Sequence, residues 1–215
     1  MWATGLSIFG GKQRNNPTKT ARKPQRAPRM DTNIQLTDGV LLLRPPKPGD
    51  LPLVIAAVYE SLPELQPWLD WATPDYDEGA ASRWLQFTQR AWEHSSAFQF
   101  VIFDTQTGEY IGNCGIDGIH KKERLCNLGY WVRTSRARQG NASRAARLAA
   151  RFAFETVGLA RAEIIIAAGN IASQRAAQKA GAHYEGLLLN RIVVRSEIYD
   201  AVRYSLTPAD LGGVR

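Results

Sequence analysis

The residues best suited to chemistry lie in a short basic loop, Thr134–Gly140, between a predicted strand and a long helix rich in alanine and arginine. The first amides of a helix lack carbonyl partners and lie at the positive end of its dipole, so a helix start attracts an anion such as a phosphate. Gly140 lets the backbone approach such a ligand, and Ala142 keeps the first turn free of bulk. An ordinary strand–turn–helix gives the same pattern, so the loop alone does not decide between the two.

The chain has the size and composition of one folded domain. It has 215 residues, of which 44% are hydrophobic, and no segment is long and apolar enough to span a membrane. Its net charge of +7 is uneven, because residues 1–33 hold seven basic residues and one acidic residue, which leaves +1 for the remainder. We therefore expect the folded part to need no nucleic acid.

Residues 1–33 are predicted to form a disordered basic tail, since they lack the hydrophobic content to fold, and the domain is predicted to occupy residues 34–215. A bias to Arg and Lys fits an organelle-targeting leader or an arm that contacts nucleic acid. Prolines interrupt the spacing of an amphipathic transit helix, which favours a non-native or over-extended start upstream of Met30.

Cysteine and histidine patterns indicate neither a metal site nor a disulfide. Cys114 and Cys126 lie in predicted strands rather than in a CxxC pair, and the three histidines share no ligand spacing. Such a pattern fits a cytoplasmic protein without a bound metal.

The elements that position the loop follow the order β-α-α-β-β-β-α-β-α-β-β, which predicts one α/β domain with a mixed sheet and helices on both sides. The predicted strands are Val40–Arg44, Phe98–Asp104, Tyr110–Asp117, Asn127–Val132, Arg161–Ala168, His183–Leu189 and a closing hairpin of Ile192–Arg195 and Ile198–Leu206, which the order counts once. The predicted helices are Leu51–Glu60, Asp77–His94, the segment after Gly140 to about Thr156, and Ile171–Ala180.

Several motifs in this frame occur together in one known family. They are Trp68–Ala72, Leu128–Val132, Arg138–Ala142, Ile164–Ala167, Asn170–Ser173, Lys179–Ala182, Tyr184–Gly186, Tyr199–Asp200 and Tyr204–Leu206. Over about residues 37–208 the chain resembles the GCN5-related N-acetyltransferase (GNAT) superfamily. Within it, the motifs resemble the RimJ/RimL group of ribosomal-protein alanine and serine N-acetyltransferases. The resemblance implies a single α+β domain with a mostly antiparallel sheet of about seven strands and four flanking helices, splayed between the fourth and fifth strands.

The resemblance also implies an acetyl-CoA site at the basic loop and the strand before it. Loop amides would wrap the pyrophosphate, and pantetheine would pair with the splayed strand. By position, Trp131, Val132 and Arg133 would lie along pantetheine, and Arg138, Gln139, Gly140, Asn141, Ala142 and Ser143 would hold the pyrophosphate. The family motif begins with Gln or Arg where this chain has Ala137, and its next position, often Gly, is Arg138. We expect the loop to bind coenzyme A despite these differences, because most of the hydrogen bonds come from its backbone. The side chains of Arg136 and Arg138 either add positive charge near the phosphates or stay solvated.

Two residues at the start of the next helix are implied to act at the sulfur. Asn170 either caps the helix or contacts coenzyme A, as the matching asparagine does in the family, and we favour the ligand role. The serine matching Ser173 is proposed in the RimJ/RimL group to protonate the departing thiolate. A local first-turn hydrogen bond is the equal alternative. A backbone N–H near Val132 is expected to bond the thioester carbonyl.

The general base is not identified by sequence. The carboxylate proposed as base in one branch of the group falls near Ile192, which cannot serve. Glu64, Asp70 and Glu185 are substitutes by location, each with a surface or structural role as the alternative, and a water chain is another possibility. An α-amine with a pKa near ~8 needs little base strength.

The acceptor is implied only by the resemblance, as the N-terminal amine of a ribosomal protein. Trp68, Trp71 and Tyr76 either wall the acceptor groove, as the equivalent loop does in the family, or belong to the core. We expect a monomer or homodimer. The alternatives are acetylation of a small amine, amino acid or antibiotic, an acyl-CoA-binding regulatory module without turnover, or an RNA-associated factor acting through the tail.

Overall fold

The computed structural model describes residues 33–212, so the predicted tail lies outside the described residues except for Asn33. Eight strands form one sheet at the centre of the domain. The strands are β1 Leu36–Thr37, β2 Leu41–Arg44, β3 Phe98–Asp104, β4 Tyr110–His120, β5 Leu125–Val132, β6 Arg161–Ala167, β7 His183–Val194 and β8 Glu197–Leu206.

Five α-helices and three 3-10 turns surround the sheet in the described part of the chain. No helix within residues 33–212 combines the length and the hydrophobicity needed to cross a membrane. The helices are α1 Leu51–Glu60, α2 Leu62–Leu65, α3 Glu78–His94, α4 Asn141–Glu155 and α5 Ile171–Lys179. The 3-10 turns are Pro48–Asp50, Thr134–Arg136 and Pro208–Leu211.

The strand order is β1-β2-β3-β4-β5-β6-β8-β7, and every neighbouring pair is antiparallel except β5 and β6. The parallel pair is joined by α4, because a parallel connection needs a crossover long enough to return to the same end of the sheet. The predicted α/β domain with a mixed, mostly antiparallel sheet is therefore confirmed.

The C-terminal strands differ from their prediction. Sequence alternation predicts separate strands at His183–Leu189 and Ile192–Arg195, whereas β7 is continuous from His183 to Val194. The register shifts between Leu188 and Ile192, where Asn190 has a φ of 51° and its N–H donates to Asp200 Oδ1 at 2.8 Å. The two-strand prediction was wrong because a bulge breaks the alternation of side chains without ending the strand.

Hydrophobic side chains form two clusters on opposite faces of the sheet, which we call the α4 face and the α1 face after the helices that cover them. On the α4 face, Phe152 of α4 packs edge-on against Phe98 and Phe100 of β3. On the α1 face, Val54 and Val58 of α1 belong to the cluster that contains Trp131 of β5. Successive residues of a strand point to opposite faces, so odd-numbered residues of β5 near Trp131 lie on the α1 face.

Candidate active site

Strands β5 and β6 separate after a short paired stretch. Their parallel pairing covers only Leu125 with Arg161, Cys126 with Ala162, and Asn127 with Glu163. Beyond this point β5 remains paired with β4 as far as Val132, and β6 remains paired with β8 as far as Ala167. A V-shaped gap therefore opens between two otherwise regular strands, at the position that the resemblance implies.

The gap presents unpaired backbone groups of β5. The N–H of Arg133 donates to the carbonyl of Ile111 on β4, at 2.8 Å. Because amides along a strand point alternately to its two neighbours, the N–H groups of Val132 and Tyr130 point away from β4 and into the gap. These amides can bond an extended ligand along β5.

The loop after β5 ends in an open helix start. Gly140 has a left-handed backbone with a φ of 83° and precedes the first residue of α4. The N–H of Arg144 is the first to bond a helical carbonyl, that of Gly140 at 3.0 Å. The amides of Asn141, Ala142 and Ser143 thus remain available to an anion at the helix start. Ser143 Oγ donates to the Gly140 carbonyl at 2.8 Å and fixes the loop.

A basic groove of about 300 Å³ lies beside this helix start. Lys179 from the end of α5 reaches the loop, since its Nζ lies 3.2 Å from where a β-carbon on Gly140 would stand. The spacing of the α4 arginines in the sequence does not show this groove, because only the approach of α5 to α4 creates it. Its cationic lining consists of Arg144, Arg147, Arg151 and Lys179.

The end of α1 holds the 3-10 turn that leads into the loop. Glu60 accepts hydrogen bonds from the Arg133 guanidinium and from the Ser135 N–H, at 2.8 Å for both Arg133 Nε and Ser135. The Arg133 guanidinium lowers the pKa of Glu60 to about 2. Ser61 Oγ accepts from the Thr134 N–H at 3.0 Å. Arg133 was predicted to lie along pantetheine. Its side chain instead pairs with Glu60, so only its backbone lies beside the gap.

The two loop arginines have different surroundings. Arg136 is paired with Glu109, which directs its guanidinium toward the start of β4. Arg138 is exposed, has a φ of 62° and forms no ion pair among residues 33–212. Gln139 Nε2 donates to the Ser135 carbonyl at 3.2 Å. Of the two, Arg138 keeps a charge available to a phosphate.

Asn170 and Ser173 meet Tyr130 at the start of α5. Asn170 Oδ1 accepts from the Ser173 N–H at 3.1 Å, so it does cap the helix, and its contact with a ligand stays a prediction. Tyr130 OH donates to the Ser173 carbonyl at 3.0 Å and lies 3.5 Å from Ser173 Oγ. Burial raises the pKa of Tyr130 well above its ordinary value, so it keeps its proton. Sequence reasoning missed Tyr130, because an aromatic residue in a buried strand is usually part of the core. Tyr184, in contrast, is exposed and packs against Tyr204.

The aromatic residues of the α1–α3 connection have distinct positions. The Trp71 ring lies 5.6 Å from that of Tyr76 and 6.0 Å from that of Trp131, within the hydrophobic cluster of the α1 face. Tyr76 is buried, which raises its pKa to about 12, so it belongs to the core. Trp68 is half-buried, and its ring lies 3.2 Å from where a β-carbon on Gly169 would stand, just after β6. Trp68 thus borders the open end of the gap.

Each carboxylate named as a possible base has another partner. Glu64 accepts from Thr134 Oγ1 at 2.9 Å, and Asp70 accepts from the Arg195 N–H at 2.6 Å. Glu185 accepts from Arg161 Nη1 at 2.8 Å, and this guanidinium lowers its pKa to about 2. Glu185 also accepts a hydrogen bond from Ser205, which is the partner of Glu163 on β8. These contacts favour the structural role for all of them.

Comparison with known proteins agrees with this geometry. The family model described as "Acetyltransferase (GNAT) domain" matches residues 40–183. The chain is 30% identical over 122 residues to the uncharacterized N-acetyltransferase YoaA of Bacillus subtilis, covering 57% of this chain and 69% of YoaA. It is 28% identical over 109 residues to the uncharacterized protein YkkB of the same organism, covering 50% of this chain and 63% of YkkB.

Solved structures share the fold over nearly the whole described domain. A "putative ribosomal-protein-serine acetyltransferase" from Vibrio cholerae superposes with a TM-score of 0.74 at 28% identity, covering 83% of this chain and all of that one. Mycobacterium smegmatis RimJ, solved with a coenzyme A disulfide, superposes with a TM-score of 0.73 at 23% identity, covering 82% of this chain and 87% of that one. The resemblance to the RimJ/RimL group is confirmed. The chain therefore belongs to the GNAT acetyltransferase family, and acetyl-CoA is its acetyl donor.

Proposed function

We propose that this acetyltransferase modifies the N-terminal α-amine of a protein, with a ribosomal protein that begins with serine or alanine as the first candidate. The observation that carries this proposal is the 28% identity to the Vibrio cholerae chain, whose whole length is matched. The position of Trp68 supports it, because this half-buried ring borders the open end of the gap between β5 and β6. We place the reaction in the cytoplasm, by a monomer or homodimer.

The residues of the loop and the gap fit coenzyme A. The open amides at Asn141, Ala142 and Ser143 and the charge of Lys179 suit the pyrophosphate, and the absence of a side chain at Gly140 leaves room for it. Arg144 and Arg147 in the groove can meet a further phosphate. When bound, acetyl-CoA supplies an activated acetyl group on sulfur.

The chain's own groups then act on that acetyl group. The N–H groups of Val132 and Tyr130 face the gap, and we assign one of them to hold the carbonyl oxygen as negative charge develops on it. The hydroxyl of Ser173 is the proposed donor of a proton to the sulfur, and it now donates to Tyr130 OH, 3.5 Å away. The roles of Ser173, Asn170 and the loop residues remain proposals.

Release of free thiol from acetyl-CoA, measured with a panel of acceptors, tests this function. The panel contains peptides beginning with Ser, Ala and Met, the same peptides with a blocked N-terminus, and the polyamine spermidine. We expect turnover with the Ser and Ala peptides and none with the blocked ones. Turnover confined to spermidine would refute the protein acceptor while leaving the acetyltransferase activity in place.

A further inference from the structure

We propose that Asp117 is the general base of this enzyme, and that Asn127 and Gln99 help it to hold the acceptor amine above the glycine pair Gly115 and Gly129. The proposal rests on the acetyltransferase function proposed above and names the group that receives the amine proton.

Strand register brings these residues to one patch of the α1 face. Gly115 of β4 is the partner of both Gln99 on β3 and Gly129 on β5. Asp117 is the partner of Asn127, one same-face step further along the same two strands. Side chains directly opposite each other in an antiparallel pair share a face, and alternate residues along a strand do too. All of them therefore lie on the face that carries Trp131, where the acceptor is expected.

The glycine pair leaves the polar side chains of this patch as its main feature. A β-carbon on Gly115 would stand 2.2 Å from Gln99 Oε1, so the absence of that side chain lets the Gln99 amide lie over the strand. Gly129 likewise contributes no side chain between Asn127 and Trp131. Gln99, Asn127 and Asp117 thus form a polar patch on an otherwise hydrophobic face of the sheet.

Two groups of this patch are hydrogen-bond acceptors without donors. Gln99 is 1% exposed, and its Oε1 has no hydrogen-bond partner; Asn127 Oδ1 is also buried without one. Asp117 accepts one hydrogen bond, from Asn127 Nδ2 at 3.1 Å, and forms no ion pair within the described residues. A buried acceptor without a donor is costly, so two such groups beside a carboxylate favour a ligand that only donates. A primary amine or ammonium, which carries several N–H donors, is such a ligand.

The polar patch lies where the gap between β5 and β6 begins. Asn127 and Glu163 are the last paired residues before β5 and β6 separate. Gly129 is one same-face step from Asn127, about 7 Å along the strand. The next residue, Tyr130, directs its N–H into the gap and its hydroxyl to Ser173. An amine above Gly129 would therefore approach a thioester in the gap from the α1 face.

Burial raises the pKa of Asp117 from 3.8 to about 6, against the lowering effect of its hydrogen bond from Asn127. A base is most effective when its pKa lies near the working pH, because it is then both ionised and able to hold a proton. The other titratable groups near it are Glu163 across Asn127, which pairs with Arg161, and the buried Cys126 thiol on the opposite face. His120 follows after the bulge in β4 and accepts from the Glu123 N–H.

Acetyl transfer then proceeds by attack of the amine on the thioester. The ammonium loses one proton to solvent, and the neutral amine nitrogen forms a bond to the thioester carbon. Asp117 accepts the second proton from that nitrogen as its charge becomes positive. The carbon–sulfur bond then breaks, its electron pair stays on sulfur, and the sulfur takes a proton from Ser173. The products are the N-acetyl amide and the free thiol of coenzyme A; Asp117 returns its proton to water, and the Ser173 oxygen regains a proton from water.

The test compares Asp117→Asn with the parent in acetyl transfer to a peptide beginning with Ser, from pH 5 to pH 9. We expect kcat/KM at pH 7 to fall about 10²-fold, the low end of the effect of a positioned base. In the parent, log(kcat/KM) should fall with a slope of one below the amine pKa and a slope of two below pH about 6. The variant should keep a slope of one throughout.

Matched variants separate this role from structural damage. Glu163→Gln removes a carboxylate on the other side of Asn127 and should keep the steep limb, which is the slope of two below pH about 6. Gln99→Met should raise KM for the peptide but keep that limb. Acetyl-CoA affinity by calorimetry and the melting temperature of Asp117→Asn should not fall. Activity of Asp117→Asn within threefold of the parent, or an unchanged steep limb, would overturn the assignment. If the parent acetylates spermidine but no peptide, the protein acceptor fails, and the same comparison with spermidine decides the base.

Discussion

Replacement of Gly140 by Val offers the sharpest test of the phosphate loop. Gly140 has a φ of 83°, and a β-carbon placed on it would stand 3.2 Å from Lys179 Nζ. A valine there would put two methyl groups between the open helix amides and Lys179. We expect acetyl-CoA affinity to fall at least tenfold, or ~1.4 kcal/mol, because both the approach of the pyrophosphate and the position of the cation are disturbed.

The same change also strains the backbone, and a matched variant isolates that effect. An L-residue in the left-handed region costs roughly 1–2 kcal/mol, and a branched side chain is the least tolerated there. Gly158, after the other end of α4, has a φ of 79° and no atom within 4 Å of its missing β-carbon. Gly158→Val should therefore lose a similar amount of stability without affecting the ligand.

Isothermal calorimetry with acetyl-CoA and thermal melting measure the two effects separately. Both variants should melt below the parent by a similar margin, and only Gly140→Val should bind acetyl-CoA more weakly. Equal affinities for the two variants, with both folded, would refute the anion site at this helix start. A loss of affinity in Gly158→Val would show that strain anywhere in α4 is enough.

Three further outcomes are expected. Ser173→Ala should lower single-turnover acetyl transfer about 10²-fold with acetyl-CoA affinity unchanged, and a rate within twofold of the parent would leave the acid role to Tyr130, tested by Tyr130→Phe. Removal of residues 1–29 should leave the melting temperature and acetyl-CoA affinity unchanged, because that segment has little apolar content to add to a core; a drop of many degrees would show that the domain boundary is misplaced. Asp117 has a folded pKa of about 6 against an ordinary 3.8, so its contribution to stability is present below pH 4 and is lost as the pH rises through 6. Denaturant titration should thus show Asp117→Asn gaining on the parent by about 2 kcal/mol between pH 4 and pH 7, and a constant difference would contradict the raised pKa.

The sequence predicts most of the fold because side-chain periodicity records which face of each element is buried. It predicts α4 closely, where alanines and Phe152 recur at helical spacing, and it predicts β6, whose residues Ile164–Ile166 form an apolar run. It misses β1, which has only two residues, and α2, where Pro63 and Pro67 suggest a loop. Elements this short carry too few residues to show a period.

The site is predicted well where backbone makes it and poorly where side chains meet across strands. Gly140 marks the loop in the sequence itself, since few other residues tolerate that conformation. Asp117 and Asn127 are ten positions apart and lie in separate strands, so only strand register shows that they adjoin. The carboxylates chosen by location, such as Glu185, are instead held by arginines that the sequence places far away.

The attachment of the α1–α2 segment to the turn before the phosphate loop implies that donor and acceptor affinities are thermodynamically linked. Glu60 and Ser61 hold Thr134 and Ser135, and Trp68, which we propose borders the acceptor site, follows only a few residues later. An acceptor that shifts this segment must also shift the turn, and coupling of this kind is reciprocal. Calorimetric titration of acetyl-CoA with and without peptide should give the same factor as titration of peptide with and without coenzyme A. The carboxylate of Glu60 thus connects two substrates that it does not itself touch.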